Sequence, residues 1–267
     1  MENAIKPVHD LSKREIFHKA LKLKESGKLY NPANAACNEH FAGSIDRFCE
    51  IAYRLRACLK VLDVGAGDGL LLSLLKELGH DCYALDIIDP TASNPEIFGA
   101  KKIEFKKCNV EVDVIPYGQY FFDAVVCCQA LEHFTHSHLH AVREMHRVLK
   151  VGGIIEIDVP NAVCFRNRSR MLRGKHITWD YEKHYLHAEP VLYKGLSFFP
   201  DRHNREFTLQ ELMALLHAAQ FKVLDVYFLK STRYRTGIEM VRTLGSMARD
   251  IVPSFRKSLI AFGEKTG

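Results

Sequence analysis

The stretch Val61-Leu62-Asp63-Val64-Gly65-Ala66-Gly67-Asp68-Gly69 decides the fold. A short apolar run ends at a glycine, two more glycines follow at alternate positions, and an apolar helical pattern begins at Leu70. Glycine lets a ligand come close to the main chain, and a helix N-terminus favours a negative group. The stretch therefore predicts a strand, a tight loop and a helix, with the loop placed for ligand binding. Simple chain reversal is the alternative.

The loop lacks the spacing of a dinucleotide fingerprint, because Gly-x-Gly-x-x-Gly would need a glycine where Leu70 stands. Asp63 before the loop and Asp68 within it disfavour a pyrophosphate and suit a ligand that carries its own cation. Asp86 ends the next short strand. An acidic residue at that place can accept hydrogen bonds from both ribose hydroxyls of a nucleoside.

Short apolar strands alternate with helical patterns around this loop. The predicted strands are 60–65, 82–87, 102–108, 120–128 and 153–160, and the predicted helices are 14–26, 34–58, 70–80 and 138–150. Thr208 and Glu211 form a capping-box pattern before a further helix and strand, and 258–264 predicts a last strand. The alternation predicts parallel βαβ units and an α/β fold with a doubly wound sheet.

Composition excludes several classes of protein. The chain has 267 residues, 47% of them hydrophobic, and 37 basic minus 32 acidic residues give a net charge of +5. This is the balance of an ordinary globular protein. Eight cysteines contain no Cys-x-x-Cys pair, and no secretory signal or apolar run of transmembrane length is visible. We therefore expect a cytoplasmic protein with reduced thiols and no transmembrane segment.

The ordered motifs resemble those of the class I S-adenosylmethionine-dependent methyltransferases, in the small-molecule branch that includes quinone-biosynthesis enzymes. The residues that carry the resemblance are VLDVGAGDG (61–69), YALDI (83–87), KKCNVEVDVIPY (106–117), YFFDAVVCCQALEHF (120–134), REMHRVLKVGGIIEIDVPN (143–161) and FTLQELMALLHAAQFKVLDV (207–226). The resemblance implies a Rossmann-like sheet of seven strands, mostly parallel, with an antiparallel last strand at SLIAFGEK (258–265).

The resemblance also implies the cofactor S-adenosylmethionine, its product S-adenosylhomocysteine, and the residues that bind them. The loop backbone would hold the methionine carboxylate, with Asp63 on the ammonium side. Asp86 would hold the ribose, and Gln129 would close the pocket near the sulfonium. The implied cofactor residues are Asp63, Gly65, Ala66, Gly67, Gly69, Asp86, Ile87, Asn109, Val110 and Gln129. Asn109 stands where the family commonly has an acidic residue that contacts the adenine amino group, and Gln220 stands where it usually has glycine.

Glu132 and His133 are the candidate catalytic residues. They follow the fourth predicted strand, at the sheet edge where ligands bind in such folds. Methyl transfer from a sulfonium needs alignment above all, and a base is needed only if the acceptor must lose a proton. His133 is the candidate base because its ordinary pKa is near neutrality. Capping a turn and packing on the cofactor are the alternatives for this histidine.

We expect no metal. His133, His136, His138 and His140 are clustered, and the spacing of His136 and His140 would let them share a helix face. Zinc sites normally add cysteine or a third well-spaced ligand, and the sequence pattern shows none. A solvated helix start explains the cluster.

We expect one domain over 1–267, made of N-terminal helices (1–58), a cofactor-binding half (59–160), a capping insertion (161–206) and a C-terminal half (207–267). Periodicity is lost in the insertion, where five basic residues between 166 and 175 are followed by aromatic residues and histidines. The tentative substrate residues are Arg166, Trp179, Tyr181, His184 and Tyr185. Basic and aromatic groups suit an anionic acceptor with a flat or sugar-like body. A surface excursion with solvated charges is the alternative.

Three functions follow from these patterns. The first is a methyltransferase acting on a small molecule, a glycan or a lipid-linked acceptor. The second is an RNA-modifying methyltransferase that uses the basic segment 166–175, although nucleic acid is the less favoured partner. The third is a catalytically inert cofactor-binding regulator. An amphipathic stretch at 238–251 would lie on its own domain, a membrane surface or a partner subunit, so both a monomer and a homodimer fit.

Overall fold

The computed structural model describes residues 7–29, 36–178, 180–230 and 250–267. Trp179 and most of the amphipathic stretch at 238–251 lie outside the described residues. The described helices are α1 (Lys13–Glu25), α2 (Cys37–Arg54), α3 (Leu70–Glu77), α4 (Pro95–Phe98), α5 (His138–Val148), α6 (Phe165–Leu172) and α7 (Leu209–Ala218). Within these ranges no helix is long and apolar enough to span a bilayer.

The described strands are β1 (Lys60–Val64), β2 (Asp81–Asp86), β3 (Glu104–Lys107), β4 (Phe122–Cys128), β5 (Leu149–Pro160), β6 (Val191–Tyr193), β7 (Leu196–Phe198), β8 (Phe221–Phe228) and β9 (Ser258–Lys265). Seven of them form one sheet in the order β3-β2-β1-β4-β5-β9-β8, and β6 and β7 form a separate hairpin. β1 to β5 pair in parallel, and β9 runs antiparallel to both β5 and β8. The predicted sheet with its antiparallel last strand is confirmed.

The sheet buries apolar side chains on both faces. Val61, Val126 and Ile260 pack with α1, α2 and α3 on one face, and Val125 and Ile157 pack with α5 and α7 on the other. The carboxyl ends of β1, β2, β4 and β5 meet at one edge, because these strands are parallel and in register. This edge carries the glycine loop and the segment Gln129–His133.

Two local expectations are corrected. The helix predicted over 138–150 is shorter than expected, because α5 ends at Val148 and β5 begins at Leu149, with Gly152 and Gly153 inside the strand. Gly152 has φ 77°, and the β4–β5 register shifts nearby, so the glycines form a bulge. The insertion also has more order than its lost periodicity suggests. It contains α6, a π-helical turn (Glu182–Leu186) and the β6–β7 hairpin. Helix α6 buries only Asn167, so it has no apolar stripe to detect.

Local cap signals are confirmed. The Thr208 side chain accepts a hydrogen bond from the Glu211 backbone N–H, and the Glu211 carboxylate accepts one from the Thr208 backbone N–H, as the capping-box pattern predicts. All eight cysteines are free, and seven of them are buried. Most of the cysteines therefore belong to the interior of the protein.

Candidate functional site

The glycine loop turns sharply because its three glycines adopt left-handed backbone angles. Gly65, Gly67 and Gly69 have φ values of 79°, 49° and 70°, a region that costs other residues strain. The backbone N–H groups of Gly65 and Ala66 donate to the Leu85 carbonyl at 2.8 and 3.1 Å. The loop is thereby fixed to the end of β2.

Asp86 is the acidic residue at the end of β2, and it is fixed from two sides. Its Oδ2 accepts from the Gly67 N–H at 2.9 Å, and its Oδ1 accepts from the Ile88 N–H at 3.0 Å. Burial raises the pKa of Asp86, and these N–H donors oppose the rise. A carboxylate has about four acceptor positions, so the group can still accept from a ligand hydroxyl.

The loop amides are largely used inside the protein. In addition to the bonds of Gly65, Ala66 and Gly67, the Gly69 N–H donates to the Ala66 carbonyl at 2.9 Å. A side chain at Gly69 would also meet Phe98, whose Cζ would lie 2.9 Å from the added Cβ. The loop therefore lets a ligand approach its backbone closely, but it has few N–H groups left to donate to that ligand. Binding of the methionine carboxylate by this loop stays a prediction.

Asp63 lies below the loop and is buried. Its Oδ1 has no hydrogen-bond partner, and burial, followed by the charges of Asp86 and Asp158, raises its pKa well above the usual range. An orphaned buried carboxylate oxygen is costly unless a donor arrives. The ammonium group that the resemblance places on this side would supply such a donor.

A cavity opens beside the loop at the carboxyl edge of the sheet. Six of the ten predicted cofactor residues line it, namely Gly65, Asp86, Ile87, Asn109, Val110 and Gln129. His133 lines it as well, whereas Asp63, Ala66, Gly67 and Gly69 lie around it rather than in its wall. The wall also contains nine residues that were not predicted to bind the cofactor, namely Val64, Leu85, Cys108, Glu111, Ala130, Phe134, Phe198, Phe199 and Pro200.

Asn109 lines the cavity, and its side-chain oxygen is already used within the protein. Its Oδ1 accepts from the Glu111 N–H at 3.1 Å, while its Nδ2 is buried and has no partner. The orphaned atoms at Asn109 and Asp63 and the open space around Gly67, where an added Cβ would meet nothing within 4 Å, fit a bulky polar ligand along this edge.

Gln129 enters the cavity wall from the end of β4 in a left-handed conformation, with φ 52°. Its backbone N–H donates to the Asp158 carbonyl at 3.0 Å, and its Nε2 donates to Asp158 Oδ1 at 2.6 Å. The same Oδ1 accepts from Arg47 Nη1 of α2 at 2.8 Å. Arg47 and Asp158 were not identified as site residues from the sequence, because 111 positions separate them and Arg47 stands outside the recognised motifs. Asp158 lies in the motif at 143–161, but nothing in that motif singles it out.

Glu132 and His133 form a short 3-10 turn after β4 and are brought together. His133 Nδ1 lies 2.8 Å from the Arg202 carbonyl, and His133 Nε2 lies 4.0 Å from Glu132 Oε1. Burial raises the pKa of Glu132 to about 8 and lowers the pKa of His133 to about 4. Near pH 7 the carboxyl group is therefore protonated and the imidazole is neutral.

The end of the insertion holds this turn in place. The Asn204 N–H donates to the Glu132 carbonyl at 2.8 Å, and Asn204 Nδ2 donates to the His133 carbonyl at 2.7 Å. The rings of His133 and His203 meet edge to face, with centroids 4.9 Å apart. The insertion therefore covers the candidate catalytic pair directly.

The β6–β7 hairpin covers another part of the cavity. Tyr193 and Lys194 both bind the Asp113 carboxylate, the lysine at 2.8 Å, which fixes the hairpin to the segment after β3. Phe198 is buried, and it lines the cavity together with Phe199. The Arg202 guanidinium lies 3.5 Å from the centroid of the Phe199 ring.

The described tentative substrate residues lie near the site but outside the cavity wall. The Tyr185 hydroxyl donates to the His203 carbonyl at 2.6 Å, and the Tyr181 ring stacks on Tyr185. The His184 carbonyl accepts from Arg202 Nε at 2.8 Å. Tyr181, Tyr185 and His184 therefore support the segment over His133. The fourth described residue, Arg166, lies 3.5 Å from Glu206; Trp179 is not described.

A group of potential metal ligands is present that the sequence pattern did not show. Ligand atoms of Glu132, His133 and His203 lie within 4.8 Å of one another. The pair considered from the sequence does not form, because His136 lies before α5 and contacts Glu111, while His140 Nε2 lies 3.3 Å from the Asp113 carbonyl. The absence of a metal stays a prediction.

Comparisons with known proteins agree with this geometry. A model of the methyltransferase domain family matches residues 12–226. The mitochondrial ubiquinone biosynthesis O-methyltransferase of Mus musculus is 34% identical over 112 residues, 39% of this chain and 29% of the mouse protein. The ubiquinone biosynthesis O-methyltransferase of Xanthomonas oryzae is 30% identical over 105 residues, 38% of this chain and 43% of that protein. The matched part is less than half of either relative.

A solved structure shows the same fold. It is 1,6-didemethyltoxoflavin-N1-methyltransferase of Burkholderia thailandensis, with bound 1,6-didemethyltoxoflavin and S-adenosylhomocysteine. Its TM-score is 0.55 at 20% identity, covering 100% of this chain and 98% of that one.

Proposed function

This chain belongs to the methyltransferase domain family, within the class I S-adenosylmethionine-dependent methyltransferases, and from that premise we propose that it methylates a hydroxyl group of a small molecule. S-adenosylmethionine is the cofactor, and it supplies an activated methyl group on a sulfonium. The residues that would hold it are those around the cavity described above, with Asp86 at the ribose, Asn109 at the adenine and Asp63 and Gln129 toward the methionine.

The observation that carries the proposal is the state of His133 at the cavity wall. Its Nδ1–H donates to the Arg202 carbonyl, so Nε2 keeps a lone pair. The imidazole is neutral at pH 7 because burial lowers its pKa to about 4. A hydroxyl becomes far more acidic as its oxygen forms a bond to carbon, so a weak base suffices if it lies within reach. His133 Nε2 would take that proton.

Glu132 supports this arrangement by remaining protonated. With a pKa raised to about 8 by burial, it places no negative charge beside the imidazole near pH 7. The Glu132 carbonyl is bound by the Asn204 N–H, which fixes the turn that carries His133. The chain's own residues thus orient the base, and rate is gained mainly by alignment.

An aromatic acceptor is the class that the surroundings suit best. Phe134, Phe198 and Phe199 line the cavity next to His133, and aromatic side chains favour a flat ring through offset or edge contacts. The named activity of the two matched relatives, ubiquinone biosynthesis O-methylation, supports a hydroxyl as the nucleophile.

The RNA-modifying function and the inert regulator have less support from the geometry. In the basic segment, Arg168, Arg170 and Arg173 donate to nearby backbone carbonyls, which reduces their availability as a phosphate track. Gln220 adopts the left-handed conformation expected of the usual glycine, with φ 65°. The turn before β8 is therefore kept, and this departure gives no reason for lost activity.

The experiment is transfer of a radiolabelled methyl group from the cofactor to a fractionated metabolite extract, with an RNA pool in parallel. We expect label in a small aromatic or lipid-linked fraction, in a product that survives mild base as a methyl ether does. Label in RNA alone would support the RNA-modifying function. Cofactor binding without label in either pool would support the inert regulator.

A further inference from the structure

An ion pair connects α2 with the edge of the sheet that carries the site. Arg47 Nη1 donates to Asp158 Oδ1 at 2.8 Å, and Arg47 Nη2 donates to Ser44 Oγ at 2.8 Å. The Asp158 side chain is fully buried at the end of β5, and that of Arg47 is 14% exposed. A buried charge pair of this kind is strongly disturbed when one partner is removed.

The charge of Arg47 is directed to Asp158 and not to the neighbouring acid. Glu156 lies two positions earlier in β5, on the same face, and its fully buried carboxyl group interacts with that of Asp158. Burial, followed by the charge of Asp158, raises the pKa of Glu156 well above the usual range. The carboxyl group that Arg47 contacts directly is that of Asp158.

Asp158 in turn holds Gln129 at two points. Its backbone carbonyl accepts from the Gln129 N–H, and its Oδ1 accepts from Gln129 Nε2. Gln129 needs this support because its left-handed backbone, at φ 52°, is unfavourable for a residue with a side chain. Arg47 and Gln129 therefore both donate to the same atom, Asp158 Oδ1, which connects them.

We propose that Arg47 is a positioning residue that acts through Asp158 to hold Gln129 in the wall of the cofactor cavity. Without Arg47, the Asp158 carboxylate would be buried beside Asp63 with no cation to balance it. It would then move or recruit water, and its Oδ1 would no longer fix the Gln129 amide. By this route α2, which packs on the sheet beside the site, contributes to cofactor affinity. The inference rests on the cofactor and is independent of the acceptor.

The test is a double-mutant cycle on the binding of S-adenosylhomocysteine, measured by calorimetry with no acceptor present. We expect Arg47→Ala and Gln129→Ala each to weaken binding about tenfold, the scale of one charge-assisted hydrogen bond. The double variant should bind about as well as Gln129→Ala alone, because both substitutions remove the same arrangement. Arg47→Lys, which keeps a charge for Asp158, should recover part of the affinity.

Arg54→Ala is the matched control. Arg54 lies on the same helix and pairs with Asp225 of β8 and with Glu50, away from the cavity wall. Its loss should lower the melting temperature yet leave the dissociation constant within about twofold. If Arg47→Ala does not fold, Arg47→Gln, which keeps a side-chain N–H donor, takes its place in the cycle.

Two results would overturn the assignment. One is a folded Arg47 variant that binds S-adenosylhomocysteine as tightly as the wild type. The other is an additive cycle, with the double variant weakened about a hundredfold, which would mean that the two residues act separately. A wild-type protein that binds the ligand but methylates no small molecule would instead count against the proposed function alone.

Discussion

A Cβ atom placed on Gly65 would lie 2.4 Å from the Cβ of Ala130, so the glycine loop and the loop after β4 interlock. Both loops line the cavity, and they are in close contact there. The first glycine of the motif is therefore required by protein packing as well as by its backbone angle.

This contact predicts the effect of Gly65→Ala. We expect the free energy of unfolding to fall by about 2–4 kcal/mol, since backbone strain and overpacking add. Gly152→Ala is the control, because Gly152 has φ 77° and an added Cβ would meet nothing within 4 Å. The Gly152→Ala substitution should lower the free energy of unfolding by only about 1–2 kcal/mol. Chemical denaturation measures both, and equal losses would contradict the packing argument.

His133→Ala should lower turnover far more than cofactor affinity. Loss of a positioned base typically reduces the rate by about a hundredfold or more. The dissociation constant of S-adenosylhomocysteine should change little, because no predicted cofactor contact is removed. His136→Ala is the control, since His136 is exposed and contacts Glu111 instead. Unchanged turnover of His133→Ala on the true acceptor would leave this histidine a structural role only.

The raised pKa of Glu132 predicts a stability that falls as the pH rises. Between its ordinary value of 4.5 and about 8, the folded protein retains a proton that the unfolded chain releases. The contribution of Glu132 to the free energy of unfolding is therefore complete below pH 4.5. It is lost as the pH rises toward 8, a decrease on the order of a few kcal/mol. Denaturation of Glu132→Gln should show a flatter slope over this range; an unchanged slope would mean that another group is responsible.

The lowered pKa of His133 predicts the opposite slope at lower pH. Between 6.5 and about 4 the unfolded chain binds a proton that the folded protein does not. Stability due to this group is complete above pH 6.5 and is lost as the pH falls toward 4. His133→Gln should flatten the acid side of the stability profile, whereas a profile identical to that of the wild type would contradict the assigned shift.

Asn109→Asp should separate affinity from stability. One oxygen can keep the bond to the Glu111 N–H, and the other replaces the unpartnered Nδ2 with an acceptor for the adenine amino group. We expect a lower melting temperature without ligand, because a buried carboxylate lacks a partner. We also expect binding of S-adenosylhomocysteine to tighten about severalfold. Weaker binding would show that the adenine uses the amide donor.

The parts that local patterns determine could be predicted from the sequence. Alternating strands and helices, the glycine loop and the Thr208 cap each depend on neighbours within a few positions. The cavity gathers most of the predicted cofactor residues, because parallel strands bring their carboxyl ends to one edge.

Long-range contacts could not be predicted. His203 reaches His133 across about seventy positions, and Arg47 reaches Asp158 across 111. No periodic pattern records such pairs, because they are created by the packing of an insertion or a helix on the finished sheet. The exposed helix α6 could not be predicted either, because a helix without an apolar stripe shows no hydrophobic periodicity.

The position of β9 has a consequence for synthesis of the chain. β9 is translated after both strands that it joins, so β5 and β8 must each keep an open hydrogen-bonding edge until residues 258–265 leave the ribosome. Unpaired edges invite pairing with other chains. Lys265, whose Nζ donates to the carbonyls of His146 and Leu149, then secures the late strand against α5 and the start of β5. The nascent protein is thus most exposed to aggregation just before its sheet closes.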